Sequence, residues 1–204
     1  ILYRVGSRES VFVDNLLCAG LGSRLPINEP IGSILLHIGH GSSQIGVMTL
    51  SGISASKRST IGGYSIDQSI VQHLRTSRGL EIGVHVASEM KEAIGNAESN
   101  GEFRTFQSGA KNLESGQFNQ VEFSSENILA GIQQPLLKLV ETVKKTVSTI
   151  SPEMCADIIQ NGLMISGGVS QLTDIDDFLS FHLRLPVFIS DQPHLSPLKG
   201  AGEL

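Results

Sequence analysis

One unit, a short apolar run that ends in a glycine-rich turn, constrains this chain most, and it occurs twice. Residues 34–38 lead into Gly39-His40-Gly41-Ser42-Ser43, and residues 162–166 lead into Gly167-Gly168. A five-residue run with so little polarity reads as a strand buried on both faces, which demands a covering layer on each side. After the first turn come residues 45–50, Ser51-Gly52 and residues 53–59, so the segment predicts a three-stranded meander. Gly62-Gly63 punctuates it, and Ile66, Ile70, Val71 and Leu74 at helical spacing predict an amphipathic helix over the sheet.

Further along, residues 84–97 read as a helix, and residues 102–107 and 117–123 as two strands around a Gly/Ser-rich hairpin. Ser124 or Ser125 can cap a long helical stretch whose apolar positions run from Ile128 to Val147, with Pro135 expected to kink or split it. Ser151-Pro152-Glu153 restarts a helix that runs to about Ile159. Residues 172–181 are expected to be helical, 187–190 a strand and 195–204 a terminal helix. This order predicts an α/β protein with a smaller subdomain inserted at about residues 80–130.

Fifteen basic and 20 acidic residues among 204 give a net charge of -5, which is no footprint for a nucleic-acid backbone or an anionic membrane. The pairs Lys57-Arg58 and Lys144-Lys145 read as solvated faces. No run approaches the roughly 20 apolar residues of a membrane span, and the opening Ile-Leu-Tyr-Arg lacks signal-peptide anatomy. An opening on Ile rather than Met points to a fragment. Cys18 and Cys155 stand far apart among apolar neighbours, so both are expected to be reduced core residues in a cytoplasmic protein.

Glycine turns after apolar strands let a ligand approach the main chain, and successive amides make a concave donor set for phosphate oxygens, to which the Ser42 and Ser43 hydroxyls can add. Neither turn fits the P-loop or the dinucleotide fingerprint. His37 and His40, on a strand and its turn, do not share a helical face and have no nearby Cys or carboxylate, so they read as substitutions rather than as a zinc site.

The motifs in order resemble the MreB family of bacterial actin-like proteins. Glu29-Pro30-Ile31-Gly32-Ser33 and the following HIGHGSSQIGV are similar to the family's Glu-Pro-Thr-Gly-Ser and Asp-Ile-Gly-Gly-Gly-Thr-Thr-Glu-Val-Ala-Val. The likeness continues through Ile61-Gly62-Gly63, Lys91 with Ile94-Gly95-Asn96-Ala97, Pro152 with Ala156-Asp157-Ile158-Ile159, residues 162–168, and Leu198 with Gly200-Ala201-Gly202. It implies the actin, sugar-kinase and chaperone-ATPase fold, ribonuclease H-like, in which two lobes close over a nucleotide. This chain would be the second lobe: a core of residues 1–80 and 130–204, comprising subdomain IIA and a C-terminal return segment, with residues 81–129 as an inserted IIB-like subdomain. The first phosphate loop and the membrane-touching helix or apolar loop would belong to the other lobe.

By the same resemblance, Gly39, Gly41, Ser42 and Ser43 match the second phosphate loop, Lys91 a lysine near the nucleoside, and Gly167 and Gly168 the adenosine-side turn. Val169 replaces that turn's third glycine and narrows the space there. Ser88 replaces a nucleotide-contacting Glu, and Glu89, rotated about 100° along a helix, is no automatic substitute. Three family carboxylate positions are changed as well. His37 stands where an Asp helps hold magnesium, Asn15 where a Glu lies near the attacking water, and Gln44 where a Glu follows the Thr pair, leaving Asp14 as the nearby carboxylate. Imidazole suits a hard cation poorly and an amide cannot accept a proton at neutral pH. No catalytic residue is therefore assigned, ATP and Mg²⁺ are implied by resemblance only, and weak or absent hydrolysis is expected.

The implied function is cytoskeletal: filaments of this chain with itself or with a full-length relative, acting with the cell-wall elongation machinery in cell shape and wall morphogenesis. No nucleic-acid partner and no membrane anchor within this chain are expected, so membrane association of a cytoplasmic protein would come through the first lobe or a partner. One alternative is a nucleotide-independent module that copolymerises with or caps a full-length relative. The other, a sugar kinase-like phosphotransferase, lacks a candidate catalytic Asp base and substrate loop.

Overall fold

The computed structural model describes residues 6, 9, 11–99 and 103–203 of the chain. Its first half holds α1 (Asn15–Gly22), β1 (Ser33–Ile38), β2 (Ser43–Thr49), β3 (Gly52–Ser59), α2 (Gly63–Arg78), β4 (Leu80–Glu81) and α3 (Val84–Ile94). Then come β5 (Thr105–Asn112), β6 (Phe118–Ser124), α4 (Ser125–Val147), α5 (Pro152–Asn161), β7 (Leu163–Ser166), α6 (Ile175–Leu183), β8 (Val187–Ile189) and α7 (Ser196–Ala201). One sheet has the order β3-β2-β1-β7-β8, and a second, smaller one the order β4-β5-β6.

β1 is central, antiparallel to β2 and parallel to β7, and its apolar run is covered on both faces as its composition demands. Ile34, Leu36 and Ile38 point into the main core, where they join Ile66, Ile70 and Leu74 of α2 and Ile132 and Leu136 of α4. Leu35, on the alternate face, packs with Met48 and with Leu16 and Ala19 of α1. Because β1 and β7 are adjacent and parallel, the two glycine turns leave the same sheet end side by side, the usual location of ligand sites in α/β sheets.

Several expectations are corrected. Pro135 does not split its helix: α4 is one element of 23 residues. A mid-helix proline costs about 3 kcal/mol, but buried Ile128, Ile132, Leu136, Leu139, Val140 and Val143 form one stripe through it and hold both halves against the same core. α3 stops at Ile94, three residues early, because Asn96 bridges to Thr173 and the Ala97 N–H bonds the Thr173 carbonyl at 2.9 Å. Residues 168–171 form a 3-10 turn, and left-handed Asp174 delays α6 to Ile175. β5 starts at Thr105 and extends five residues past the expected end; the Glu102 of that expectation lies outside the described residues. The terminal helix contracts to α7, behind a 3-10 turn at Pro193–Leu195. Cys18 is buried and its thiol is pushed up in pKa by that burial, whereas Cys155 is half-buried rather than core.

Candidate functional site

The turn after β1 is tied down from behind. The N–H groups of Gly63 and Tyr64, opening α2, donate to the carbonyls of Gly39 and His40 at 3.0 and 2.9 Å. A Cβ on Gly62 would lie 2.5 Å from the His40 carbonyl oxygen, so the helix start can sit against the turn only as glycine. On the other side, Gly167 holds φ +91° against the Ile38 backbone, a conformation and an approach that a side chain would not allow.

Gly41 and Gly168 differ from these. Neither has positive φ, and a Cβ at either would meet no protein atom within 4 Å. Neither conformation nor packing requires glycine there; what it preserves is open space in two neighbouring pockets. Gly168 lines a cavity of about 500 Å³ with Lys91, Ser88, Glu92 and Val169. Gly41 lines a pocket of about 320 Å³ with Gly39, Ser42, His37, Gln44, Asn15 and Arg58. His40 lines both.

In the larger cavity Lys91 is not a free cation. Its Nζ lies 2.7 Å from Oδ1 of Asp67, a carboxylate on α2 that is 1% exposed. Asp67 has no local sequence signal beyond its place beside the buried stripe of that helix. Glu89 points away, 3.3 Å from His85. The carboxylate that does line the cavity is Glu92, one turn beyond Ser88 and therefore on the same helical face, a spacing visible in the sequence but not used.

The smaller pocket is built by register. Ser166, His37, Gln44 and Arg58 are direct cross-strand partners over β7, β1, β2 and β3, so all four share one sheet face. Asn15, at the start of α1, donates from Nδ2 to Gln44 Oε1 at 3.1 Å. The three positions where the resemblance expects carboxylates thus meet in one place. Asp14 does not replace them: its Oδ1 accepts the Leu16 N–H at 2.7 Å as the cap of α1. Arg58 is exposed, as expected of a solvated face, and also donates to Ser42 Oγ at 3.2 Å. Ser43 is 1% exposed, and its Oγ has no hydrogen-bond partner among the described residues.

Burial pushes His37 below its ordinary pKa of 6.5, and its Nδ1 lies 3.0 Å from Ser166 Oγ. The unfolded chain therefore takes up this proton first. Stability is full above pH 6.5, falls as pH drops through the window beneath it, and levels off once the folded imidazole also protonates. Urea unfolding between pH 7.5 and 5 is expected to lose this part of its slope in His37→Gln; an unchanged slope would place the titration on another group.

The family model described as MreB/Mbl protein matches residues 1–204. The chain belongs to the MreB/Mbl family. The cell shape-determining protein MreB of Haemophilus influenzae is 32% identical over 200 residues, which cover 97% of this chain and 57% of that protein, so the chain spans little more than half of that relative's length. Among solved structures, MreB5 of Spiroplasma citri bound to AMPPNP superposes with a TM-score of 0.93 at 23% identity, covering 98% of this chain and 60% of that one. A MamK double helical filament gives 0.73 at 20% identity, over 93% and 57%. The MreB/Mbl chain thus has the actin-like ATPase fold that the resemblance implied.

A divalent cation does not suit the smaller pocket of this MreB/Mbl member. Among the described residues its lining offers amides, imidazoles, a hydroxyl and a guanidinium and no carboxylate, whereas magnesium is held through carboxylates and phosphate oxygens. Among the described residues no three His, Cys, Asp or Glu side chains gather as metal ligands, and no helix is long and apolar enough to cross a membrane.

Proposed function

We propose that this stretch forms the second lobe of a cytoskeletal filament subunit acting in cell shape and wall growth, with residues 81–129 as its inserted subdomain. It would retain an adenine-nucleotide site with impaired hydrolysis. In this reading the nucleoside enters the larger cavity, between Gly168 and the Ser88–Glu92 face of α3, and the phosphates lie over Gly39, Gly41 and Ser42, whereas Ser43 is buried and does not line the pocket. His40 stands where the two meet. The observation that carries the reading is the pair of glycines, Gly41 and Gly168, that neither packing nor backbone conformation requires, one in each of two pockets joined through His40.

Impaired hydrolysis follows from the lining. Phosphoryl transfer depends on metal charge and a positioned water; Asn15, His37 and Gln44 supply no metal carboxylate, and the two amides cannot accept a proton. Calorimetry of this chain with ATP and magnesium is expected to give binding weaker than about 100 μM and no steady phosphate release. A low-micromolar dissociation constant would overturn the expected weak binding, and sustained turnover the impaired hydrolysis.

The carboxylate-free pocket also favours a second reading, a module that copolymerises with or caps a full-length relative, since a subunit that does not hydrolyse has no internal signal for release. Sedimentation with and without that partner separates the two. A filament former pellets alone, and a cap shortens the partner's filaments.

A further inference from the structure

We infer that Arg58 takes the place of the divalent cation, so that the pocket over Gly41 and Ser42 holds the oxygens of a di- or triphosphate without magnesium. The inference rests on only one part of the proposed function, that this pocket faces phosphates. Among the described residues Arg58 is the only Lys or Arg side chain lining it, on β3 directly opposite Gln44 of β2, and no carboxylate lines it. A guanidinium has five N–H donors in a planar fork that matches two phosphate oxygens. One nitrogen of Arg58 is bonded to Ser42 Oγ, which aims the group at the turn, and Arg58 has no other partner among the described residues.

The neighbouring groups complete a set of donors. Asn15 occupies the Gln44 carbonyl oxygen, so the Gln44 amide N–H groups, which have no partner among the described residues, are left for an anion. Such a lining repels a cation and attracts phosphate, the reverse of a carboxylate site that needs magnesium as a bridge. Exposure of Arg58 on β3 also lets it move with the ligand, since its side chain is not part of the core.

An NMR titration of the isotopically labelled chain with inorganic tripolyphosphate tests this, because that probe has no nucleoside. In EDTA, the amides of Gly39, Gly41 and Ser42 are expected to shift saturably, with a dissociation constant within about threefold of that in magnesium. Arg58→Ala should weaken binding by about tenfold or more, and Arg58→Lys, a point charge without the fork, by less. Thermal unfolding of Arg58→Ala should match the parent, which separates loss of the ligand contact from loss of fold. No shifts in EDTA, tightening of tenfold or more on adding magnesium, or parent-like binding by Arg58→Ala would each overturn the inference. Parallel titrations with adenosine and ATP report the other cavity through Ser88, Lys91 and Gly168. Tripolyphosphate binding with no adenosine response would defeat the nucleotide reading and leave this one standing.

Discussion

Lys91→Met is expected to lower stability by about 3–5 kcal/mol at pH 7, the cost typical of removing one partner from a buried ion pair. The Asp67 carboxylate is 1% exposed, and Lys91 Nζ at 2.7 Å is its only side-chain partner among the described residues. With the ammonium gone, a charge stays in the core with neither water nor counter-ion. Methionine keeps most of the side-chain volume, so the loss reports charge rather than a cavity. The double variant Lys91→Met with Asp67→Asn should recover more than half of the deficit, because the net contribution of an intact buried pair is small. Urea unfolding of the three proteins decides it, and a Lys91→Met midpoint equal to the parent's would show that the pair is not closed in solution. The pair also bears on the site. Lys91 Nζ lies 3.4 Å from the Gly63 carbonyl as well, so it joins α3 to the start of α2, where the turn after β1 is anchored. Its charge is already matched by Asp67, and it stands as a fixed wall of the larger cavity.

What the sequence makes legible here is local. The meander is readable because the residues of β1 are apolar at both parities and glycine and serine mark the turns; Gly41 and Gly168 are conspicuous for the same reason. Arg58 and Asp67 are hidden because each acquires its role from pairing or packing, whereas Glu92 shares a helical face with Ser88 at a spacing the sequence displays. Arg58 meets Ser42 only when β3 pairs with β2, and Asn15 meets Gln44 across 29 residues of chain. A lysine-arginine pair on a strand reads as solvated, and both residues are exposed, but that reading does not reveal the neighbour Arg58 bonds. α1 escapes notice because eight residues with two glycines have little intrinsic helicity; the Asp14 cap and burial of Leu16 and Ala19 against the sheet supply what propensity lacks. Pro135 shows the opposite error, a strong local signal overruled by a continuous buried stripe.

Gly200→Val is expected to undock α7 from α1 and to lower stability by about 3 kcal/mol, the upper part of the usual range for overpacking. The two helices cross with their backbones in contact. A Cβ on Gly200 would overlap the Cys18 carbonyl oxygen and lie 2.8 Å from the Gly22 nitrogen, and one on Gly22 would overlap the Ser196 carbonyl oxygen. Main chain cannot yield to a methyl group as a flexible side chain can, so the helices must separate. The damage should remain at this crossing, because α1 keeps its apolar face against Leu35 and Met48 while α7 is short and has few other buried positions. Hydrogen exchange is expected to lose protection over residues 196–203 while the amides of β1 and β7 keep theirs. Gly202→Ala is the control. Its Cβ would sit 3.4 Å from the Lys199 carbonyl oxygen, an ordinary contact, and its effect should lie within about 0.5 kcal/mol of zero. If Gly200→Val instead exposes β1 and β7 along with α7, the helix crossing is part of the folding core, and the smaller pocket that Asn15 completes depends on it.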